Sequence, residues 1–155
     1  MKALSLWAPW GTAMYLGLKL NETRGWETTY SGDLLICQAK RKMTADELDY
    51  IEDLSDLILP EQKIALLDSP LGAALAVVDL VHCVHTESII KVTPELEQEF
   101  GDYSPGRFAW MTENLRPLYP PTPIVGAQGL FNVEKCPSCD RWMSSKDCVT
   151  CKEQS

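Results

Sequence analysis

No apolar stretch in this chain is long enough to cross a bilayer. The longest uninterrupted run, Ala73 to Val78, falls far short of the roughly 20 residues a spanning helix needs. The opening MKALSLWAPWG holds one lysine and some apolar residues, but Pro9 and Gly11 interrupt it. No small-residue cleavage site follows, so the sequence predicts no secretory signal, and a reducing cytoplasm is the expected compartment. Internal repeats and low-complexity tracts are missing as well. With 155 residues, 45% of them apolar and 23% charged, the chain reads as one folded body with a small appendage rather than a disordered segment.

Basic charge is scarce. Lys and Arg number 14 against 22 Asp and Glu, for a net charge of −8. The deficit is uneven. Residues 1–42 carry six basic and three acidic side chains, a balance of +3. Residues 43–133 carry four and fifteen, a balance of −11, and residues 134–155 carry four of each. A chain that grips polynucleotide phosphates without regard to sequence carries a net basic face. Here any nucleic-acid contact is expected to be short, local and centred on the first 42 residues.

What is present divides into two blocks. Residues 1–133 read as a mixed α/β body. Leu4–Trp7 and Leu34–Cys37 are strand candidates, with a short helix between Pro9 and Gly17. Thr44 to Glu47 has the form of a capping box, and Leu48, Ile51, Leu54 and Ile58 then form one helical stripe ending before Pro60. Asp49, Glu52, Asp53 and Asp56 lie off that stripe, as a solvated acidic face. Residues 73–84 read as a long strand, interrupted by Asp79, which needs a partner. Thr93-Pro94 opens a short helix that Gly101 closes. Phe108–Met111 and Ile124–Val133 are further strands, with Pro117, Pro120, Pro121 and Pro123 marking a loop between them. Short strands with a few helices suggest a small mixed barrel.

Residues 134–155 have a different grammar, with Val149 as the one aliphatic residue and four of the six cysteines. Cys136-Pro-Ser-Cys139 and Cys148-Val-Thr-Cys151 are two C-x-x-C knuckles. Each aims two thiolates at one point, and together they form a four-sulfur shell suited to structural zinc. Disulfides or iron are the alternatives. A closed shell has no open position for water, so the tail is expected to be structural rather than catalytic. Arg141, Trp142, Lys146 and Lys152 offer charge and a ring for nucleic acid, but the tail's neutral balance favours a staple or a protein contact. Cys37 and Cys83 sit among apolar residues and read as small buried hydrophobes. His82 and Cys83 would face opposite ways on a strand, so they make no joint site.

The densest chemistry lies in residues 4–40. Glu22 and Arg24, two apart on an extended chain, share a face. Lys19 follows the helix, and Trp7, Trp10, Trp26 and Tyr30 crowd the same stretch. Basic groups interleaved with aromatic rings suit a base-stacking pocket beside a phosphate or carbonyl. The plainer alternative is an Arg–Glu ion pair over a tryptophan core.

The order Pro9-Trp10, Gly17-x-Lys19-x-x-Glu22-x-Arg24, Trp26 and Tyr30-x-Gly32, followed by an apolar strand, resembles the ASCH domain family of the PUA-like superfamily. LGAALAVVDLVHC, FAWMTENLRPL and PIVGAQGLFNV resemble its remaining strands. The resemblance covers residues 3–133 and leaves out the cysteine tail. It implies an α+β fold, a PUA-like small β-barrel with short helices over residues 1–133, with a zinc-binding tail over 134–155. It also implies a cleft lined by Lys19, Glu22 and Arg24. Related domains are associated with RNA, DNA or modified nucleobases. The expected ligand is therefore a nucleotide, a modified nucleobase or a short single-stranded nucleic acid. Trp10, Lys19, Glu22, Arg24, Trp26 and Arg107 would contact it, with Lys19 adding charge from its loop. One branch of the family is an amidohydrolase acting on acetylcytidine. Its lysine and arginine match Lys19 and Arg24, but Glu22 stands where its proposed threonine nucleophile falls. Thr23, the neighbouring hydroxyl, would face the other way on a strand. In an enzyme of that kind Glu22 or Glu99 would activate water and Lys19 would stabilise the oxyanion. A third expectation is a protein partner held by the acidic helix or the zinc tail.

Overall fold

A computed structural model describes residues 1–145 and 147–154. Its body is one six-stranded mixed sheet with short helices packed against it. The strands are β1 (Lys2–Leu6), β2 (Asn21–Arg24), β3 (Gly32–Gln38), β4 (Ala73–His85), β5 (Phe108–Pro123) and β6 (Leu130–Asn132). Their order in the sheet is β2-β5-β4-β3-β1-β6. Only β1 and β3 run parallel. The sheet curls into a half-barrel, as the PUA-like expectation requires.

Alternation along the strands builds two cores. Leu4 and Leu6 of β1, Leu34 and Ile36 of β3, Val78 and Leu80 of β4 and Trp110 of β5 fill one. Ala3, Leu35, Cys37 and Ala74 join Ile124 and Val133 in the other. Burying both faces explains why β3 reads as a continuous apolar run rather than an alternating one. A third core lies among the helices: Ala13 of α1 (Trp10–Tyr15), Ile51 of α2 (Ala45–Asp53), Leu66 of α3 (Pro60–Leu67) and Phe100.

Three expectations need correction. The stripe from Leu48 to Ile58 is not one helix. The Ser55 hydroxyl takes the Glu52 carbonyl at 2.6 Å, α2 stops at Asp53, and a second helix, α3, starts at Pro60. Ile51, Leu54 and Ile58 are buried all the same, while Leu48 is exposed. The capping box is half formed. Thr44 accepts from the Glu47 N–H, but the Glu47 carboxylate turns to Arg41, at 2.7 and 3.2 Å. Finally, the proline-rich segment is strand, not loop, and most of 124–133 is loop, not strand. Beyond Met111, β5 has lost its β2 neighbour, and on an exposed edge a missing proline N–H costs no ladder bond.

Two short helices follow β4: α4 (Thr86–Ile89) and α5 (Glu95–Glu99). The tail forms a two-residue hairpin, β7 (Glu134–Lys135) with β8 (Trp142–Met143), and ends in α6 (Val149–Glu153). Trp142 packs against the second core, so it anchors the tail to the body rather than standing free for a base. Lys146 lies outside the described residues. Asp79 finds its partners on β5, with Arg116 at 2.9 Å and Asn114 at 3.1 Å. Those hydrogen bonds, Arg116 foremost, hold its carboxyl below the ordinary aspartate range.

Candidate nucleic-acid cleft and metal centre

The half-barrel leaves a seam between β2 at one edge and β1 near the other. Three strands separate them in the sheet, yet Arg24 Nη2 donates to the Ser5 carbonyl at 3.2 Å. Arg24 therefore latches the seam. Glu22 and Arg24 share a face as the two-residue spacing predicts, with Nη2 3.4 Å from Glu22 Oε2. The other Glu22 oxygen accepts from the Thr23 N–H at 3.0 Å and lies 3.4 Å from Lys19 Nζ.

Lys19 is not the loop cation expected. It is 2% exposed, and its ammonium donates to the Phe100 carbonyl at 2.7 Å. A buried ammonium needs a carboxylate and an acceptor close by, and Glu22 and Phe100 supply them. Lys19 thus holds Glu22 from behind and does not line the cleft. Thr23 turns its hydroxyl to the backbone N–H of Asp102, 2.9 Å away.

Over this seam lies a cavity of about 500 Å³ lined by Trp7, Trp10, Glu22, Arg24, Glu99 and Arg107, among others. Trp10 meets Tyr50 and Phe100 edge-on, at 5.8 and 6.4 Å between ring centres. Arg107 donates to the Asp102 and Thr23 carbonyls. Glu99 accepts the Tyr50 hydroxyl at 2.7 Å. Burial, then the Glu99 charge, pushes the Tyr50 phenol up, so Tyr50 remains a donor. The buried carboxylate of that helix is a different residue, Glu97, which accepts the Leu20 and Asn21 N–H groups and ties α5 to the start of β2.

Trp26 does not line this cavity. It stands edge-on to the buried Trp110, with ring centres 4.6 Å apart, and lines a second cavity of about 620 Å³. Trp7, Ser5, Lys40 and the loop at 124–129 also line that second space. Trp7 stood out in the sequence among the rings of residues 4–40, whereas Ser5, Lys40 and the loop were not singled out. For Trp7 and Ser5 a signal existed, since both flank the apolar β1 positions. For the loop there was none, because nothing local ties it to β2.

The tail brings its four cysteines together. Their sulfurs lie within 4.8 Å of one another, with Cys136–Cys151 at 3.7 Å and Cys139–Cys148 at 3.5 Å. A tetrahedral shell with metal–sulfur bonds of about 2.3 Å spaces its sulfurs about 3.8 Å apart, whereas a disulfide bond is about 2.05 Å long. The donor set therefore fits a metal ion. Cys136 accepts the Asp140 N–H on its carbonyl while its own N–H donates to the Arg141 carbonyl, which makes the first knuckle tight. Cys148 caps α6, and the Cys151 N–H pointed at its sulfur brings its thiol down to about 7. Arg141 is tied to Thr150 and Lys152 to Asp147.

Cys37 is the opposite case, since burial pushes its thiol up to about 12. It is expected to be the last of the six to react with an alkylating reagent in native protein. Mass spectrometry of a labelling time course checks this, and early labelling of Cys37 would contradict the packing of the second core. Cys83 is only half-buried and accepts the Thr28 N–H at 3.5 Å. His82 and His85 are exposed, and no metal group includes them among the described residues.

A curled mixed sheet with a cleft at its open seam defines a PUA-like domain. The sequence profile of the ASCH domain matches residues 4–154, and the chain belongs to the ASCH domain family. That match runs on through the cysteine tail. Activating signal cointegrator 1 of Homo sapiens is 25% identical over 131 residues, which cover 84% of this chain and 22% of that protein. The Mus musculus protein of the same name is 24% identical with the same coverage. The chain thus spans 22% of the length of these relatives. No helix among the described residues is long and apolar enough to cross a membrane.

Proposed function

We propose that the seam cleft binds a nucleotide, a modified nucleobase or a short single-stranded nucleic acid. The observation that carries this reading is Arg24, a guanidinium at the seam flanked by tryptophans. A cation beside stacking rings suits a base with a phosphate attached. Membership of the ASCH family supports the same ligand class. The cointegrator relatives extend far beyond this region, so a partner protein for this chain remains a secondary reading, with the exposed face of α2 and the tail as its surfaces.

Binding fits the geometry better than amide hydrolysis. Both Glu22 oxygens are occupied, by the Thr23 N–H and Lys19 on one side and Arg24 on the other. Lys19 donates to the Phe100 carbonyl and does not line the cavity. In the tail we propose zinc, held by Cys136, Cys139, Cys148 and Cys151. Closed four-thiolate shells suit it, and a reducing cytoplasm keeps the thiols available.

Arg24→Ala tests the reading. A charge-assisted hydrogen bond contributes about 1.5–3 kcal/mol, so affinity for a bound nucleotide is expected to fall roughly tenfold to a hundredfold. Glu22→Gln keeps shape and an acceptor, and should do less. Calorimetric titration with a nucleotide panel measures both, with thermal melts to confirm that each variant is folded. Failure of wild-type protein to bind any of the panel would end this reading. A Glu22→Gln variant that binds normally but loses turnover of an acylated cytidine would replace it with hydrolysis.

A further inference from the structure

We infer that the cleft spans one phosphodiester link of a single strand, taking a base in one lobe, the linking phosphate at Arg24 and the neighbouring nucleotide in a second lobe. This rests on the nucleic-acid reading above and names the length of its ligand. The two cavities, of about 500 and 620 Å³, share three wall residues: Ser5, Trp7 and Arg24. Each has the volume of a small-molecule site in its own right. They form one cleft with a saddle at Arg24.

The two lobes differ in charge. The first is lined by Glu22, Glu99 and Asp102 against Arg24 and Arg107. Carboxylates there repel a phosphate but accept from the exocyclic amine of a base. The second lobe has no acidic lining residue, and its charges are Arg24 and Lys40. Lys40 is exposed and has no ion-pair partner among the described residues. A strand laid across the saddle therefore meets acceptors for a base on one side and cations for its backbone on the other.

Polar groups at the saddle are left over. Arg24 Nε and Ser5 Oγ are buried and have no hydrogen-bond partner. Orphaned groups of this kind in a native fold call for a ligand or water. The loop also reaches the saddle by design of sequence. A Cβ on Gly126 would lie 2.4 Å from Ser5 Oγ, so any other residue there would force the Ser5 hydroxyl to turn aside before the loop could close against β1.

Stacking is provided on both sides. Trp10 lines the first lobe, Trp26 the second, and Trp7 both. The Arg41 guanidinium sits 4.0 Å from the centre of the Trp7 ring and is held there by Glu47. Arg41 lines neither lobe, so it backs the part of the ring turned away from the cleft. Trp7 is thereby fixed as a platform without being covered, which lowers the entropy cost of stacking a base on it.

The test is a length series on the full chain: CMP, then cytidine oligomers of two, three and four nucleotides, in ribo and deoxy forms, by calorimetric titration. Base–aromatic stacking predicts that the dinucleotide binds about tenfold or more tighter than CMP. The trimer should gain less than about threefold over the dinucleotide, because two nucleotides already fill the two lobes. Trp26→Ala should bring the dinucleotide down toward the CMP level and so erase the gain from the second nucleotide. Should Trp26→Ala disturb the packing on Trp110, Lys40→Ala at the open rim reads the same lobe and should also weaken the dinucleotide selectively. This pattern in either sugar series supports the inference, and the stronger series tells RNA from DNA. Arg24-dependent CMP binding with no gain for the dinucleotide overturns the two-lobe cleft while the nucleotide-binding function stands. Affinity that keeps rising through four nucleotides also overturns it, in favour of an open groove. No binding by any member overturns both.

Discussion

Cys148→Ser is expected to release residues 134–154 from their fold while the half-barrel stays intact. The core of the tail is largely sulfur: Cys136, Cys148 and Met143 are buried together, with Cys139 and Cys151 packed on them. Its ties to the body are few, Trp142 on the second core and the Ser144 hydroxyl on the Val125 carbonyl. Structural zinc in such a shell contributes about 10–16 kcal/mol of apparent binding free energy, and that energy is folding energy. Without the ion, no metal–sulfur bonds hold together the four sulfurs now gathered within 4.8 Å. Purified protein should therefore carry one zinc per chain by elemental analysis. Chelation or Cys148→Ser should open the tail to limited proteolysis within minutes, and leave the region up to residue 133 protected. A metal-free preparation with an equally protected tail would defeat both the zinc assignment and the division at residue 133.

Lys19→Met is expected to cost about 3–5 kcal/mol of stability, the range for removing one partner of a buried ion pair. Nearly all of Lys19 is hidden, and Glu22 is 9% exposed. Removing the ammonium leaves Arg24, 3.4 Å away, to balance the Glu22 charge and strips the Phe100 carbonyl of its donor. Adding Glu22→Gln to Lys19→Met removes the stranded charge, so the double variant should recover part of the loss. Urea titration of the wild type, both single variants and the double variant closes the cycle. Strict additivity would mean that the 3.4 Å pair has no energetic coupling. The consequence for function is direct: loss of ligand binding on substitution of Lys19 reports a loosened fold, whereas Arg24 reports contact with ligand.

Much of the site was legible because short-range geometry writes it. Alternation on an extended chain put Glu22 and Arg24 on one face, and the paired C-x-x-C spacing gathered four sulfurs. Trp10 in the cleft followed from the helix opened by Pro9. Elsewhere local signals pointed the wrong way. The prolines of β5 read as a loop because proline breaks a ladder, but beyond Met111 one side of β5 has no strand beside it, and on that side there was no ladder to break. Leu48, Ile51, Leu54 and Ile58 kept the spacing of one helix although α2 stops at Asp53, because a turn can bury Leu54 and Ile58 as a helix would. Glu99 stood out as the carboxylate of its helix, but Glu97 is the buried one, and only packing against Leu20 and Asn21 distinguishes them.

The sequence by itself determined the family, the mixed α/β class, the four-sulfur centre and the shared face of Glu22 with Arg24. Each depends on residues within a few positions of one another, or on an order of motifs along the chain. Tertiary structure alone decided that Lys19 is buried, since its acceptor is the Phe100 carbonyl, 81 residues away. It also decided that the cleft has two lobes. The second is closed by the loop at 124–129 against Ser5 of β1, where β6 pairs with β1, and it meets the first at Arg24 because the sheet curls until β2 reaches β1. Curvature is a property of the whole sheet, summed from the twist of every strand, and no local stretch of sequence carries it.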